Sequence, residues 1–329
     1  MWNSRRKTAT VATLGALLLG AWSAQALAQG AAFPARGKPI TIIVPYAAGG
    51  VTDTGARLMA AALEKELSTS VQVANKAGAA SQLGLTDLVR SAPDGYTLSY
   101  VVLPTVTTHY LQPGREAIYT RKNFQPIAMH HYVPQTISVR SDSPYKTLKD
   151  FVEAARASPE TIKISDSGLM AVPHTTVLML QRAAGVRFAS VHFTGGAPSV
   201  TALLGGHVDA LAGATADALP HKASGAFRVL GIAAEQPDKS MPEVPTMKSL
   251  GYDVVAASWT GIVAPAGTPQ NVVDVLTTAI RKVIESPEHQ KKLQELALSP
   301  LYFDPANYSK LWADTEVRMK PLLENLLQK

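Results

Sequence analysis

The chain contains no cysteine. Disulfides, thiol nucleophiles and cysteine-ligated metals are therefore excluded in any compartment. Nor does it contain the roughly 20 consecutive apolar residues that a membrane-spanning helix requires. Several chemical signatures are missing too: no G-x-S-x-G elbow, H-E-x-x-H, G-x-G-x-x-G or Walker A pattern occurs. Serine-hydrolase, zinc-hydrolase and nucleotide-binding readings are left without motif support. Internal repeats, low-complexity tracts and runs of like charge are also lacking.

What is present begins with an export signal. Arg5, Arg6 and Lys7 precede a short apolar stretch over residues 11–22, and Ala26-Leu27-Ala28 before Gln29 has the form of a cleavage site. Residues 1–28 are expected to be removed after Ala28, leaving a periplasmic mature chain. The arginine pair is compatible with either the general or the twin-arginine route. These three are the only charges in the segment, so its removal lowers the formal balance from +6 to +3. So small a surplus is no nucleic-acid footprint. The mature chain can bury a large core without disulfide staples, most simply as two domains.

Strand-like and helix-like segments alternate, which predicts an α/β protein with mostly parallel sheet. Ile40–Val44 is a near-continuous apolar run, as in a strand covered on both faces. Ala56, Met59, Ala60, Leu63 and Leu67 follow at helical spacing. Strands are predicted over Val71–Asn75, 96–103, 162–165, 189–193, 208–212, 228–233, 253–257 and 261–264. Helices are predicted over 81–90, 147–157, 174–184, 197–204, 269–285, 287–296 and 307–326. The stretch from about 104 to 146 reads as rich in loops.

The most informative run is Pro39 to Asp53, PITIIVPYAAGGVTD. It reads as a buried strand, a glycine-bearing loop, and a residue able to cap a helix beginning near Thr54. Such a loop presents unpaired main-chain N–H groups to one point, and the helix adds the positive end of its dipole. The combination favours an anion. Thr194-Gly195-Gly196 and the loop from Ser165 to Gly168 have the same strand-to-helix setting. In open parallel sheets, ligands sit where such loops converge beyond the carboxyl ends of strands.

Other constellations are weaker. His130-His131 lies in a polar region without a third ligand nearby, so a surface or interdomain role is preferred over a metal site. Asp166 is placed to pair with His174, with Ser167 as nucleophile, but a strand-to-helix loop with capping donors explains the same residues. Trp259 fits either the core or a ligand wall.

The motif Pro39 to Arg57 (PITIIVPYAAGGVTDTGAR) resembles the opening of the substrate-binding proteins of tripartite tricarboxylate transporters, often called the Bug family, TctC-like. Further matching blocks are VANKAG from Val73, APDGYT from Ala92, VHFTGGAPSVTALLGGHVD from Val191, PEVPT from Pro242 and SWTGIVAPAGTP from Ser258. They lie in family order across essentially the whole mature chain. The resemblance implies a two-domain Venus flytrap of periplasmic-binding-protein type II-like fold, with mixed, mostly parallel sheets and two crossovers. One domain would comprise residues 30–136 plus 253–329, the other 137–252, with the ligand cleft between them. Carried over by position, Tyr46, Ala47, Gly49, Gly50, Thr52 and Asp53 would form the first wall of the cleft. Ser165, Ser167 and Gly168 would face it, with Thr194 and Gly195 beside them.

The resemblance further implies a non-catalytic monomer, without metal or cofactor, that captures a small organic carboxylate for integral-membrane transporter subunits. A receptor feeding a two-component sensor kinase is the alternative, and a secreted hydrolase using Ser167 and His174 a remote one. Two departures from the family pattern stand out. Met170-Ala171 replaces a Gly-Ser pair before His174, and Gly213-Ala214 replaces an acidic residue and an asparagine. Both predict a drier far end of the cleft, suited to aromatic or medium-chain acids over citrate, aspartate or glutamate.

Overall fold

The structure, a computed structural model, describes residues 33–327; the expected export signal lies outside them. In chain order the first elements are β1 (Ile40–Val44), α1 (Val51–Leu67), β2 (Val71–Asn75), α2 (Gln82–Val89), β3 (Thr97–Leu103) and α3 (Thr105–Leu111). The 17-residue strand β4 (Phe124–Arg140) follows. Next come α4 (Leu148–Ala157), β5 (Lys163–Asp166), α5 (Val172–Ala184), β6 (Ala189–His192), α6 (Gly196–Leu204), β7 (Ala210–Ala214), α7 (Thr215–Ala223) and β8 (Phe227–Ala233). The chain ends with β9 (Ala257–Pro265), α8 (Gln270–Glu285), α9 (Pro287–Glu295), β10 (Ser299–Phe303) and α10 (Pro305–Leu327).

Local chemistry accounts for several of these. β1 pairs in parallel with both β2 and β3 and is buried along almost its whole length, hence its unbroken apolar sequence. α4 opens with a capping box: Thr147 Oγ1 accepts from Asp150 N at 3.1 Å, and Asp150 Oδ2 accepts from Thr147 N at 2.9 Å. α8 buries Val272, Val273, Leu276, Ala279, Ile280 and Val283, a stripe at helical spacing.

The strands run β2-β1-β3-β9-β4-β7-β5-β6, with β8 and β10 also bonded to β4. Pairing is parallel in both wings and antiparallel around β4 and β9. β4 changes partners part-way. From Phe124 to Pro134 it pairs with β9, and β10 joins its other edge. From Gln135 it pairs with β7 and β8. Two lobes result, each with its own core. In the first, Phe124 stacks on Trp312 at 5.4 Å. In the second, Phe151 stacks on Phe188 at 4.8 Å.

β4 corrects the expectation of loops between 104 and 146. Pro126 and Pro134 lie within it, and its register against β9 shifts between Pro126 and Ala128 and again between Met129 and His131. Those irregularities absorb residues that ordinarily argue against a strand. The strand expected at 261–264 lies within β9, but the one expected at 253–257 is not formed: residues 253–256 are irregular and β9 begins at Ala257. His130 and His131 are fully buried in β4, with His130 Nε2 2.8 Å from His289 Nε2 on α9, so a surface role is excluded.

Candidate functional site

Loops from both lobes enclose a cavity of about 50 Å³. Four helices begin at its wall: α1 through Gly50, Val51 and Thr52, α5 through Val172 and Pro173, α6 through Gly196, and α7 through Ala214 and Asp217. The first N–H groups of a helix have no partner within it, and its dipole is positive at that end. Hydroxyls of Tyr46, Thr105, Ser167, Ser258 and Thr260 and the Gln135 amide complete a polar lining. Ser258 and Thr260 point the same way from β9 because alternate strand residues share a face. Among the described residues lining the cavity there is no Lys, Arg or His.

The lobes touch directly around this cavity. Ala47 N donates to Thr194 O at 3.3 Å. Val172 N donates to Thr105 Oγ1 at 3.1 Å, and Thr108 Oγ1 donates to Met170 O at 3.2 Å. A Cβ added at Gly195, where φ is +156°, would sit 3.2 Å from Ala47 N. Glycine is what lets these loops meet. A cavity closed between two lobes and rich in neutral donors suits a small anion held without a counter-ion.

Residues 55–327 match the model of the tripartite tricarboxylate transporter family receptor. The chain belongs to that family. A protein from the gbd 5′ region of Cupriavidus necator is 34% identical to this receptor over 321 residues, 96% of this chain and 94% of its own. The solved structure of the periplasmic binding protein BugD aligns with a TM-score of 0.83 at 28% identity, over 88% of this chain and 97% of BugD. MatC from Rhodopseudomonas palustris, with bound malate, aligns with a TM-score of 0.81 at 29% identity, over 88% of this chain and all 100% of MatC. The receptor thus has the two-domain Venus-flytrap fold, and its family and fold are those of solute-binding proteins. No helix among the described residues is long and apolar enough to cross a membrane.

Of the residues expected from the sequence, Tyr46, Gly50, Thr52 and Ser167 line the receptor's cavity. The Tyr46 hydroxyl lies beside Ser81 and Thr105, and burial pushes its pKa up. Ala47, Thr194 and Gly195 form the contact between lobes. The others hold backbone. Asp53 is not the N-cap, which is Gly50. Its Oδ2 accepts from Gly49 N at 2.9 Å and Arg57 Nε at 2.9 Å, and its Oδ1 accepts from Asn75 Nδ2 at 2.8 Å. Burial alone would raise the Asp53 pKa, but these bonds outweigh it and hold the carboxyl below the usual range. Ser165 Oγ donates to Ser199 O at 3.2 Å inside the second lobe. Gly168 N donates to Asp166 Oδ1 at 2.8 Å, and a Cβ at Gly168 would approach that of Ala80 to 2.9 Å.

Asp166 faces His192, whose Nδ1 is 2.9 Å from both of its oxygens, and not His174 as the hydrolase reading requires. Ligand atoms of Asp166, His174 and His192 do lie within 4.8 Å of one another. A neutral imidazole has one ring-nitrogen lone pair, however, and in His174 it is engaged at Nδ1 by Met170 N–H at 2.9 Å. Metal ligands show the opposite pattern, donating through their second nitrogen.

The residues on which a dry far end was expected mostly lie elsewhere. Met170 packs with Met319 and Leu323, and the Gly213 carbonyl accepts from Thr136 Oγ1 at 3.1 Å. Of the four departing positions only Ala214 lines the cavity, whose apolar lining comes from Val51, Val102, Val172 and Pro173 as well. Trp259 stacks on Tyr132 at 5.1 Å, and its neighbours Ser258 and Thr260 line the cavity instead. Sequence reasoning missed Thr105, Gln135 and Asp217. Ser258 and Thr260 were visible only as part of the SWTG block.

Proposed function

We propose that this receptor captures a small organic carboxylate between its lobes in the periplasm and delivers it to the membrane subunits of a tripartite transporter. The carrying observation is the cavity itself. Four helix starts and a ring of hydroxyls converge there, with no cation among the described lining residues. Such donors stabilise an anion while leaving it free to be released. Family membership and the likeness to malate-bound MatC support the same ligand class.

Residues 30–136 plus 253–329 and residues 137–252 act as the two closing domains. β4 and the chain entering β9 serve as hinge. Closure buries the ligand, where a hydrogen-bonding site rejects analogues that leave its donors unpaired. The protein works as a monomer without cofactor or catalytic step, after removal of residues 1–28.

The test is a thermal-shift screen of the mature protein against a panel of small carboxylates. A ligand that binds only the native state raises the melting temperature. At least one carboxylate is expected to do so; a panel that leaves the melting temperature unmoved contradicts the reading.

A further inference from the structure

The cavity that offers donors to an anion is also lined by Gln135 and Asp217, whose side-chain oxygens can only accept. Gln135 is fully buried and lines the cavity. Its Nε2 donates to Val133 O at 3.3 Å and to Ser258 Oγ at 3.0 Å. The Val133 carbonyl can only accept, so the amide orientation is fixed. Its Oε1 has no hydrogen-bond partner among the described residues.

Asp217 lines the same cavity from the third position of α7. One carboxylate oxygen accepts from Ala214 N at 3.2 Å. The other lies against Gly196, where an added Cβ would come within 2.8 Å of it. Only a glycine there admits the carboxyl. Burial, opposed solely by the Ala214 bond, pushes its pKa up to about 6. The titratable groups sharing its surroundings are Tyr46 in the cavity, and His221 and Glu295 in an outer groove that Asp217 also borders. No Lys or Arg lines either space among the described residues.

A bare carboxylate would meet like charge at Asp217 and leave Gln135 Oε1 unsatisfied. An ammonium on the ligand can donate to both acceptors and offsets the like charge, and a hydroxyl, with its single O–H, satisfies one of them; each donates where the protein can only accept. We infer that the ligand is a small carboxylate carrying a second, hydrogen-bond-donating group, and that Gln135 and Asp217 accept from that group and set the receptor's specificity. This rests on the carboxylate-capture reading above and names the ligand class within it.

The experiment is calorimetry on the mature protein, well above pH 6, with matched sets: propionate, lactate and alanine; succinate, malate and aspartate; phenylacetate and mandelate. In at least one set the donor-bearing acid is expected to bind at least about tenfold more tightly than its bare partner. Asp217→Asn retains an acceptor for Ala214 N and removes the anion. It should cut that preference by about tenfold, more for an ammonium than for a hydroxyl, with a near-unchanged melting temperature. Gln135→Met, removing the orphaned acceptor from the other side, should cut it as well. Bare acids binding as tightly as their partners, or a preference untouched in both variants, overturns the inference and leaves carboxylate capture standing. No binding by any acid in the sets overturns both.

Discussion

Gln135 and Ala256 are joined main chain to main chain, Gln135 N donating to Ala256 O at 3.0 Å, where both crossing segments pass between lobes. Ala256 N in turn donates to Ala233 O at 3.0 Å, so the second lobe grips the same point. Under the proposed hinge, a rotation about this pair would open the cleft while both cores stay packed, and it would break the cross-lobe bonds at Ala47, Thr105 and Thr108.

Gly195→Ala tests that arrangement. The new Cβ would meet Ala47 N at 3.2 Å and Ala47 Cβ at 3.4 Å, and φ at this position disfavours any side chain. Carboxylate affinity is expected to fall at least about tenfold while both cores remain intact. Calorimetry beside a thermal melt checks this; an unchanged affinity would show that the loops meet without consequence for binding. Gly50→Ala is the contrasting variant. Its Cβ would find only ordinary contacts, the nearest at 3.6 Å, and its φ is −82°, so a smaller effect is expected.

Asp53→Ala should act through the first loop. It leaves the N–H of Gly49 without its acceptor and costs Asn75 and Arg57 one bond each, Asn75 keeping Tyr46 O and Arg57 keeping Asn75 Oδ1. A loss of about 1–3 kcal/mol in stability is expected, with weaker binding alongside. Urea denaturation and a ligand titration measure the two effects, and Asp53→Asn, which keeps an acceptor, should lose less.

How far the sequence carries can be judged at particular residues. Ile40–Val44 and Val71–Asn75 were legible to the residue, because a doubly covered strand needs an unbroken apolar run and a short strand needs turn residues at its ends. Of the residues the family blocks pointed to, Tyr46, Gly50, Thr52 and Ser167 line the cavity between the lobes. β4 was illegible. Its prolines and histidines suggest a polar loop, and only the bulged pairing with β9 makes them a strand. Gln135 and Asp217 carry no local signal, since their placement arises from the change of partners along β4 and from Gly196 on the neighbouring helix of the same lobe. Positions aligned with a family's ligand contacts can also turn away, as Met170 does.

Acid should destabilise the fold through its buried histidines. Burial first and neighbouring charges second hold His109 and His131 at about 3 and His174 and His289 at about 4, partly offset at His174 by Asp166 and at His289 by Glu288. His130 is pushed down as well, by burial and then by His131 and His289. These rings are neutral in the fold and protonate near pH 6.5 when unfolded, so the unfolded state binds more protons as pH falls. Their contribution is present above about pH 6.5 and is lost progressively down to about pH 4, each ring withdrawing up to about 1.4 kcal/mol per pH unit. Asp217 works in the opposite sense, its raised pKa relieving strain below about 6, but it is one group against several. Denaturation midpoints from pH 7.5 to 4.5 should decline, and His289→Gln should flatten the decline; a flat wild-type profile would contradict the burial argument.

Anion capture by neutral donors is tested most directly by calorimetry comparing one bound carboxylate with its methyl ester on the same mature protein. The ester keeps the size and most of the apolar surface and loses the charge that the helix starts at Gly50, Val172, Gly196 and Ala214 are arranged to meet. The acid is expected to bind with the ester at least about a hundredfold weaker, a difference of about 2.7 kcal/mol. Equal affinities for acid and ester would contradict it.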